Sequence, residues 1–344
     1  MEILISILKK LNIIPVPLVD TQPQFLKARI VLEANRLGIF RALGEANDGL
    51  NTEELAERLG ISREGAAVML TALTNIDYLV QRNGHYRNSR WVKRWILDPK
   101  RGISNFLNLQ LHTWSRLEYL EETLRTGRPV KDFHQAEVTK PGKGQEVYTR
   151  GMREIARFLI PAFIKRAKLP QGAKRLLDVG GAHGDYSRAL VRRFPGLKAT
   201  VLDMAGPIAT AQQILETEGN PEGIELRVGN VLKDDLGNGW DAVLLANMVH
   251  LFSLDQNNDL FTRIHGSLAP NGVLLIMDQF MGLGRLQDKL AGLFSLNCFI
   301  VGGRCYPRED MERLLKKAGF SRIKVKPFLL QPPTSLIEAW KPNR

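Results

Sequence analysis

The stretch Leu176 to Ser187 reads Leu-Leu-Asp-Val-Gly-Gly-Ala-His-Gly-Asp-Tyr-Ser and joins an apolar segment to a turn of small residues. The apolar segment, Arg175 to Val179, predicts a short strand that is buried on both faces. Gly180, Gly181 and Gly184 allow the backbone to turn tightly and to approach a ligand closely. A buried strand, such a turn and a following helix are together typical of a nucleotide-type cofactor site.

The acids around this turn indicate which ligand it would bind. Asp178 precedes the glycines, whereas dinucleotide-binding turns read Gly-x-Gly-x-x-Gly and present helix N–H groups to a pyrophosphate. A second predicted strand, Lys198 to Asp203, ends in an acid 19 residues after Gly184, where an α/β unit places the group that binds a ribose diol. This pattern favours S-adenosylmethionine, which carries cationic sulfonium and ammonium groups. The alternative is an ordinary strand, turn and helix with solvated acids.

Length and composition predict a globular protein with more than one domain. The chain has 344 residues, of which 44% are hydrophobic, so two separate cores are expected. No run of about 18 uncharged apolar residues occurs, so we expect no membrane helix. Met1 to Ile14 lacks the features of a secretory signal and is predicted to be an amphipathic helix that packs on the body or a partner subunit. Cys298 and Cys305 have no neighbouring Cys or His, which predicts a cytoplasmic protein without a metal site.

The first half of the chain shows three helical patterns followed by a hairpin. The patterns cover Phe25 to Leu43, Asn51 to Gly60 and Arg63 to Thr74. Asn83-Gly84 is a strong hairpin signal between two short strand-like runs. Three helices and a hairpin in this order predict a winged helix.

Nearly all of the net charge of +12 lies in this half. Lysines and arginines outnumber acids 29 to 18 over residues 1–175, but only 19 to 18 over residues 176–344. A winged helix with a basic hairpin is either a DNA-binding module or a dimerisation module with solvated charges. The basic residues concerned are Arg82, Arg87, Arg90, Lys93 and Arg94.

The rest of the chain is expected to form two long helices and then an α/β domain. Helices are predicted over Ile103 to Leu124 and Glu146 to Lys168, the second bent or divided at Pro161, and Pro170 to Gly172 is a plausible linker. We therefore expect an α/β fold with a Rossmann-like, mostly parallel sheet that ends in an antiparallel hairpin. Its strands are predicted at Arg175–Val179, Lys198–Asp203, Ile224–Val228, Ala242–Ala246, Val273–Met277, Ile323–Phe328 and Ser335–Trp340, with an Asn271-Gly272 turn before the fifth.

Motifs along nearly the whole chain from Phe25 point to one family. They are Leu176 to Ser187, Val201 to Asp203, Val249-His250-Leu-Phe-Ser, Leu268-Ala-Pro-Asn-Gly-Val, Gly302-Gly-Arg, Ala318-Gly-Phe320, Trp114-Ser-Arg-Leu and Arg125-Thr-Gly-Arg-Pro. Together they resemble the small-molecule O-methyltransferases of the plant caffeate and bacterial antibiotic type. The resemblance implies a class I methyltransferase sheet that binds S-adenosylmethionine, preceded by a mainly α winged-helix domain that forms a homodimer and does not bind nucleic acid. It also implies a winged-helix dimerisation domain over 1–105, a helical connector that contributes to the substrate pocket over 106–172 and a catalytic domain over 173–344.

The resemblance assigns the proton-transfer chemistry to a histidine and an acid. In the family a histidine just after the fourth strand removes the proton from the acceptor hydroxyl, and His250 occupies that place. Imidazole suits the task because it titrates near working pH, whereas a phenol has a pKa of ~10. Asp278, at the end of the fifth strand, falls where the family carries an acid that orients the histidine. The simpler interpretations are a structural histidine and a carboxylate at the start of a loop.

Two positions depart from the family pattern. Cys305 stands where a second acid should flank the histidine, so we expect a less basic histidine and an acceptor that is more acidic than a simple phenol or needs little activation. Asn230 replaces the acid that contacts adenine, and its amide can still form hydrogen bonds. His183, inside the glycine turn, either caps the turn or contacts the methionyl end of the cofactor.

The expected function is S-adenosylmethionine-dependent O-methylation of an aromatic small molecule in secondary metabolism. Met152, Leu296, Asn297 and Ile300 match substrate-lining positions, and their largely apolar character favours a flat aromatic or polycyclic acceptor, although each could be plain core. N-methylation, or a hydroxylation, decarboxylation or cyclisation with the same cofactor, is an alternative, as is a ligand-responsive DNA-binding protein. The predicted cofactor residues are Asp178, Gly180, Gly181, Gly184, Asp203, Met204, Asn230, Val231 and Asn247.

Overall fold

The computed structural model describes residues 11, 13, 15–129, 141–219, 223–328 and 334–343. The chain divides into two compact units, with the boundary between Leu111 and His112. The predicted amphipathic helix at the N-terminus lies almost entirely outside the described residues, as does the loop before the last strand. Among the described residues, no helix is both long enough and apolar enough to span a membrane.

The first unit has the predicted order of helices and hairpin. Its helices bury one apolar cluster that includes Phe40, Leu55 and Leu70. The helix bounds are α1 Val16–Leu37, α2 Ile39–Glu45, α3 Thr52–Leu59 and α4 Arg63–Asn75, and the antiparallel strands are β1 Leu79–Arg82 and β2 His85–Asn88.

Local sequence signals explain where most of these elements begin and end. Asn51 caps α3 through a capping box with Glu54, as its polar start predicts. Asn83 and Gly84 both have positive φ, of +49° and +78°, so the predicted hairpin turn is confirmed. The single helix predicted over Phe25 to Leu43 is wrong, because Gly38 takes a left-handed conformation (φ +84°) that ends α1 and starts α2.

A short helical turn over Arg90–Val92, continued by a π-helix over Lys93–Leu97, follows the hairpin. Among the described residues, the helices α5 Ser104–Leu117, α6 Leu120–Thr126 and α7 Lys143–Arg166 then lead to the sheet. The single helix predicted over Ile103 to Leu124 is therefore divided, because the N–H of Tyr119 bonds the carbonyl of Arg116 and tightens the chain between α5 and α6. Pro161 does not divide α7, which continues through it as one helix.

The second unit is built on a seven-stranded sheet. Its strands are β3 Arg175–Val179, β4 Lys198–Asp203, β5 Ile224–Val228, β6 Trp240–Ala246, β7 Leu268–Asp278, β8 Ser321–Pro327 and β9 Ser335–Trp340. They lie in the order β5-β4-β3-β6-β7-β9-β8. The first five strands of this unit run parallel, and β8 and β9 complete an antiparallel edge, as predicted. The chain reverses its winding direction between β3 and β6, which is where α/β sheets open a crevice at the carboxyl ends of their strands.

Helices cover both faces of this sheet, and its central strands β3, β6 and β7 are mostly apolar and buried. Leu177 and Val179 of β3 pack into one core cluster, and Leu176 packs into the cluster on the opposite face. The helices are α8 Asp185–Arg193, α9 Ala205–Glu218, α10 Leu254–Ser267, α11 Arg285–Phe299 and α12 Arg308–Lys317.

Two details of this unit differ from the sequence-based expectations. The strand β7 begins at Leu268, five residues before its predicted start, and the expected turn survives as a kink at Asn271 with a φ of +60°. The helix α11 was not predicted, because no side chain caps its start and Gly292 interrupts its middle.

Candidate active site

The glycine turn after β3 has a backbone that requires small residues. Gly180 and Gly184 both have a φ of +70°, in the left-handed region that favours glycine. At Gly181 a Cβ atom would lie 2.6 Å from Cγ of Asp178 and 2.8 Å from a methyl group of Val201. The turn therefore packs directly against β3 and β4, and only glycine allows that approach.

Asp203, at the end of β4, links this turn to the start of α9. Its Oδ2 accepts a hydrogen bond of 2.8 Å from the N–H of Ala182, and its Oδ1 accepts one of 2.7 Å from the N–H of Met204. Burial raises the pKa of Asp203 to about 6. Each carboxylate oxygen still has a lone pair for a further donor, because it can accept two hydrogen bonds.

Asp178 lies beneath the turn and does not line the cavity described below. It is fully buried, and its Oδ2 accepts a hydrogen bond of 2.6 Å from the hydroxyl of Ser187. Its Oδ1 has no hydrogen-bond partner among the described residues. Burial, together with the charge of Asp203, raises the pKa of Asp178 to about 7.

A cavity of ≈ 340 Å³ opens at the carboxyl ends of β3, β4 and β6. Pro207, Leu232 and Phe252 are among the residues that make much of its wall apolar. Gly184, like Asp178, does not line it. The sequence-predicted residues on its wall are Gly180, Gly181, Asp203, Met204, Asn230, Val231, Asn247 and Met152.

Tyr148 and His183 also line this cavity. Tyr148 was missed, although it lies four residues before Met152 and hence on the same face of α7. Burial raises the pKa of Tyr148 to about 12, so its hydroxyl keeps its proton and can donate a hydrogen bond. The Nδ1 atom of His183 accepts from the N–H of Asp185 at 3.1 Å, which is the predicted turn-capping role. Burial lowers the pKa of His183 to about 4, so the ring is neutral and carries its proton on Nε2.

An ion-pair network that is buried at Arg153, Asp185 and Arg188 and exposed at Glu218 joins α7 to the helices that follow the turn. Arg153, next to Met152 in the chain, donates from Nε to Asp185 at 2.8 Å and from Nη1 to Glu218 at 2.7 Å. Arg188 donates to Asp185 at 3.1 Å. The hydrogen bonds from Arg153 lower the pKa of Glu218 to about 2. These pairs hold the helix that carries Tyr148 and Met152 against α8 and α9.

His250 and Asp278 form a second polar centre beside the cavity. The Nδ1 atom of His250 lies 2.8 Å from Oδ1 of Asp278, and both side chains are buried. The ring of Phe294 packs edge-on against the imidazole, with centroids 5.1 Å apart. Neither His250 nor Asp278 lines the described cavity, but Met248, Leu251 and Phe252 from the same loop do.

The remaining predicted residues lie on or just after α11. Leu296 is exposed, Asn297 is half-buried and Ile300 is fully buried, and none of the three lines the cavity. Cys305, at the place of the second acid, is buried, and its N–H bonds the hydroxyl of Ser295. Cys298 is also buried, and both thiols are free.

The cavity residues fit S-adenosylmethionine. A Cβ at Gly180 would lie 2.3 Å from the sulfur of Met248, so a glycine here leaves room for the Met248 side chain on the cavity wall. Asp203 retains lone pairs for the two ribose hydroxyls, and the side-chain Nδ2 of Asn230 has no partner among the described residues. The apolar wall near Val231 suits an adenine ring.

Comparison with known proteins finds a family that matches most of the second unit and relatives that match most of the chain. The sequence profile of the O-methyltransferase domain matches residues 120–321, which is more than half of the chain. The 3-hydroxy-5-methyl-1-naphthoate 3-O-methyltransferase of Streptomyces sahachiroi is 26% identical over 322 residues, covering 91% of this chain and 92% of the relative. The tetracenomycin polyketide synthesis 8-O-methyl transferase of Streptomyces glaucescens is 28% identical over 319 residues, covering 87% and 89%.

The fold of nearly the whole chain also occurs in solved structures. Human N-acetylserotonin methyltransferase in complex with S-adenosylmethionine superposes with a TM-score of 0.82 at 23% identity, covering 94% of this chain and 96% of that chain. The match extends over both units, so the Rossmann-like methyltransferase fold predicted from the motifs is confirmed. This chain therefore belongs to the O-methyltransferase family, whose enzymes transfer a methyl group from S-adenosylmethionine to a hydroxyl group.

Proposed function

We propose that this O-methyltransferase acts on a hydroxyl group of an aromatic or polycyclic small molecule, with His250 as the general base. Two relatives are named for methylation at a numbered oxygen of a naphthoate and of a polyketide, which supports a ring hydroxyl as the acceptor. The largely apolar lining near Met152 and Phe252 supports a flat acceptor.

The observation that carries the proposal is the buried contact between His250 and Asp278. A hydrogen bond from Nδ1–H to the carboxylate leaves Nε2 as the free acceptor, so Nε2 takes the proton of the acceptor hydroxyl. The charge of Asp278 then stabilises the imidazolium, as the acid does in other histidine-acid pairs. Phe294 restricts rotation of the ring, so the base is held in one orientation.

For the cofactor, we infer that the glycine turn, Asp203, Asn230 and Tyr148 hold S-adenosylmethionine. When bound, the cofactor supplies an electrophilic methyl group. Asp203 would accept hydrogen bonds from hydroxyl groups of the cofactor, and the Asn230 amide and the Tyr148 hydroxyl would donate hydrogen bonds to it. Most of the rate acceleration would come from holding the acceptor oxygen in line with the methyl group.

The replacement of the second acid by Cys305 bears on the acceptor. A neutral thiol contributes no charge to stabilise a protonated His250, whereas a carboxylate would. We therefore expect acceptors whose hydroxyl is more acidic than that of a simple phenol, such as one beside a carbonyl group on the same ring system.

A panel of hydroxylated aromatic compounds incubated with S-adenosylmethionine tests the proposed activity. We expect mass spectrometry to detect a gain of one methyl group on at least one acceptor, with greater turnover on hydroxyls of lower pKa. Cofactor binding without methylation of any acceptor, while the protein converts a substrate in another way, would contradict the proposal.

We also propose that the protein is a homodimer assembled through a winged-helix domain over 1–105, with a connector over 106–172 and a catalytic domain over 173–344. Large apolar side chains of the first unit are exposed, among them Phe25 (58%), Val68 (67%) and Trp91 (67%). Light scattering at micromolar concentration should give twice the chain mass of 38.7 kDa. A stable monomer under those conditions would contradict the dimer.

Nucleic-acid binding has less support. The helix before the hairpin, α4, carries a single basic residue, Arg63, which pairs with Glu53 at 2.8 Å. Arg87 of the hairpin pairs with Asp48.

A cytoplasmic location is part of the proposal, because Cys298 and Cys305 are both free thiols.

A further inference from the structure

The loop that carries His250 is held by side chains outside it. This His250 loop comprises Val249 to Phe252 and lies between β6 and α10. Asn257, fully buried on the first turn of α10, donates from Nδ2 to the carbonyl of Val249 at 2.9 Å and to that of Phe252 at 3.2 Å. These carbonyls flank His250 in the chain, so one amide group joins both ends of the loop.

The segment after α11 holds the same loop from another direction. The hydroxyl of Tyr306 donates to the carbonyl of Phe252 at 2.8 Å. The N–H of Arg304 donates to the carbonyl of His250 at 2.8 Å, and a Cβ at Gly303 would lie 2.0 Å from that oxygen. The loop is therefore fixed between α10 and residues 303–306.

Two backbone hydrogen bonds close the short helical turn of this loop. The N–H of Leu251 donates to the carbonyl of Met248 at 3.0 Å, whereas the bond from the N–H of Phe252 to the carbonyl of Val249 is long, at 3.5 Å. The shorter bond from Asn257, at 2.9 Å, is thus the stronger restraint on the carbonyl of Val249.

The local surroundings of Asn257 argue against a role in packing alone. Its Oδ1 is buried without a hydrogen-bond partner among the described residues, which is unfavourable for an amide oxygen. An apolar residue of similar volume would avoid this unfavourable burial. What such a residue could not provide is the pair of hydrogen bonds to Val249 and Phe252.

We propose that Asn257 is a positioning residue, which fixes the His250 loop so that the imidazole meets the acceptor hydroxyl in a productive orientation. This inference rests on the proposed role of His250 as the general base. A displacement of about 1 Å in a catalytic group lowers the rate by about 100-fold, so loss of the restraint would be visible in turnover.

The test compares Asn257→Leu with the wild type in turnover and in cofactor affinity. We expect turnover to fall about 10- to 100-fold, with the dissociation constant for S-adenosylmethionine, measured by calorimetry, within about threefold of wild type. Asn258→Leu is the matched control, because Asn258 is the next residue on α10 and its side chain bonds no loop carbonyl in the described structure. It should retain turnover within about twofold.

A double-mutant cycle separates positioning from general damage to the fold. In a His250→Ala background, Asn257→Leu should lower the remaining turnover by less than about twofold, because there is no base left to position. An equal loss in both backgrounds would overturn the inference, and so would wild-type turnover of a folded Asn257→Leu variant. Wild-type turnover of His250→Ala would instead overturn the proposed base, and the inference with it.

Tyr306→Phe provides the test if Asn257→Leu does not fold, because it removes a single hydroxyl. We expect a smaller loss of turnover, about two- to fivefold, since Asn257 still bonds the carbonyl of Phe252. This loss should also disappear in the His250→Ala background. Turnover equal to wild type in a folded Tyr306→Phe protein would overturn the idea that outside contacts to this loop control the base.

Discussion

The cofactor end and the base end of the site are built in different ways. At the cofactor end, the carboxylate of Asp203 accepts hydrogen bonds from backbone N–H groups of the glycine turn and of its own strand end, within two consecutive β–α units. At the base end, His250 depends on Asp278, Phe294 and Asn257, which come from three separate elements of the fold. Substitutions at the first end should therefore lower affinity for the cofactor, whereas those at the second should lower turnover.

Replacement of the base should produce the largest effect and the sharpest separation of the two ends. We expect His250→Ala to reduce turnover by about 10²- to 10⁴-fold, the range for loss of a positioned general base, with cofactor affinity within a few-fold of wild type.

His265→Ala is the matched control for this variant. The ring of His265 packs edge-on against Phe320 with centroids 5.0 Å apart, similar to the contact of His250 with Phe294. His265 lies on α10 and does not line the cavity. If the two variants lost turnover equally, the loss would reflect packing and the base assignment would be wrong.

Asp203→Ala tests the opposite end of the site. Loss of charge-assisted hydrogen bonds to the ribose should weaken S-adenosylmethionine binding by about 1–3 kcal/mol, or about 5- to 150-fold in dissociation constant, as measured by calorimetry. Turnover at saturating cofactor should change far less than in His250→Ala. A preference of the wild-type protein for NAD over S-adenosylmethionine would overturn the cofactor assignment.

The pH dependence of cofactor binding should show a smaller effect that also arises from Asp203. Because burial raises the pKa of Asp203 to about 6, the carboxylate is ionised above that pH and protonated below it. Affinity for S-adenosylmethionine should therefore be highest near pH 7.5 and fall by about tenfold at pH 5, because the protonated carboxyl group is the weaker acceptor. Titration calorimetry across this range should give a flatter profile for Asp203→Asn. An unchanged slope in that variant would assign the titration to another group, such as Asp178.

The sequence was sufficient to predict the elements on which the cofactor end depends. An apolar run ending at Val179, glycines at fixed offsets and an acid after the next strand are local patterns, and local patterns determine strands, turns and helix starts. The same reasoning failed at Gly38 and at α11, where a helix was interrupted or began without a capping side chain.

Only the tertiary structure decided which of these groups meet. The sequence did not indicate that Asp178 is buried beneath the turn, that Tyr148 lines the cavity, or that Asn257 holds the loop of His250. The physical reason is that such contacts join residues from different elements. Their distances depend on how strands and helices pack, whereas the turn and its glycines depend on backbone conformations that the neighbouring residues already determine.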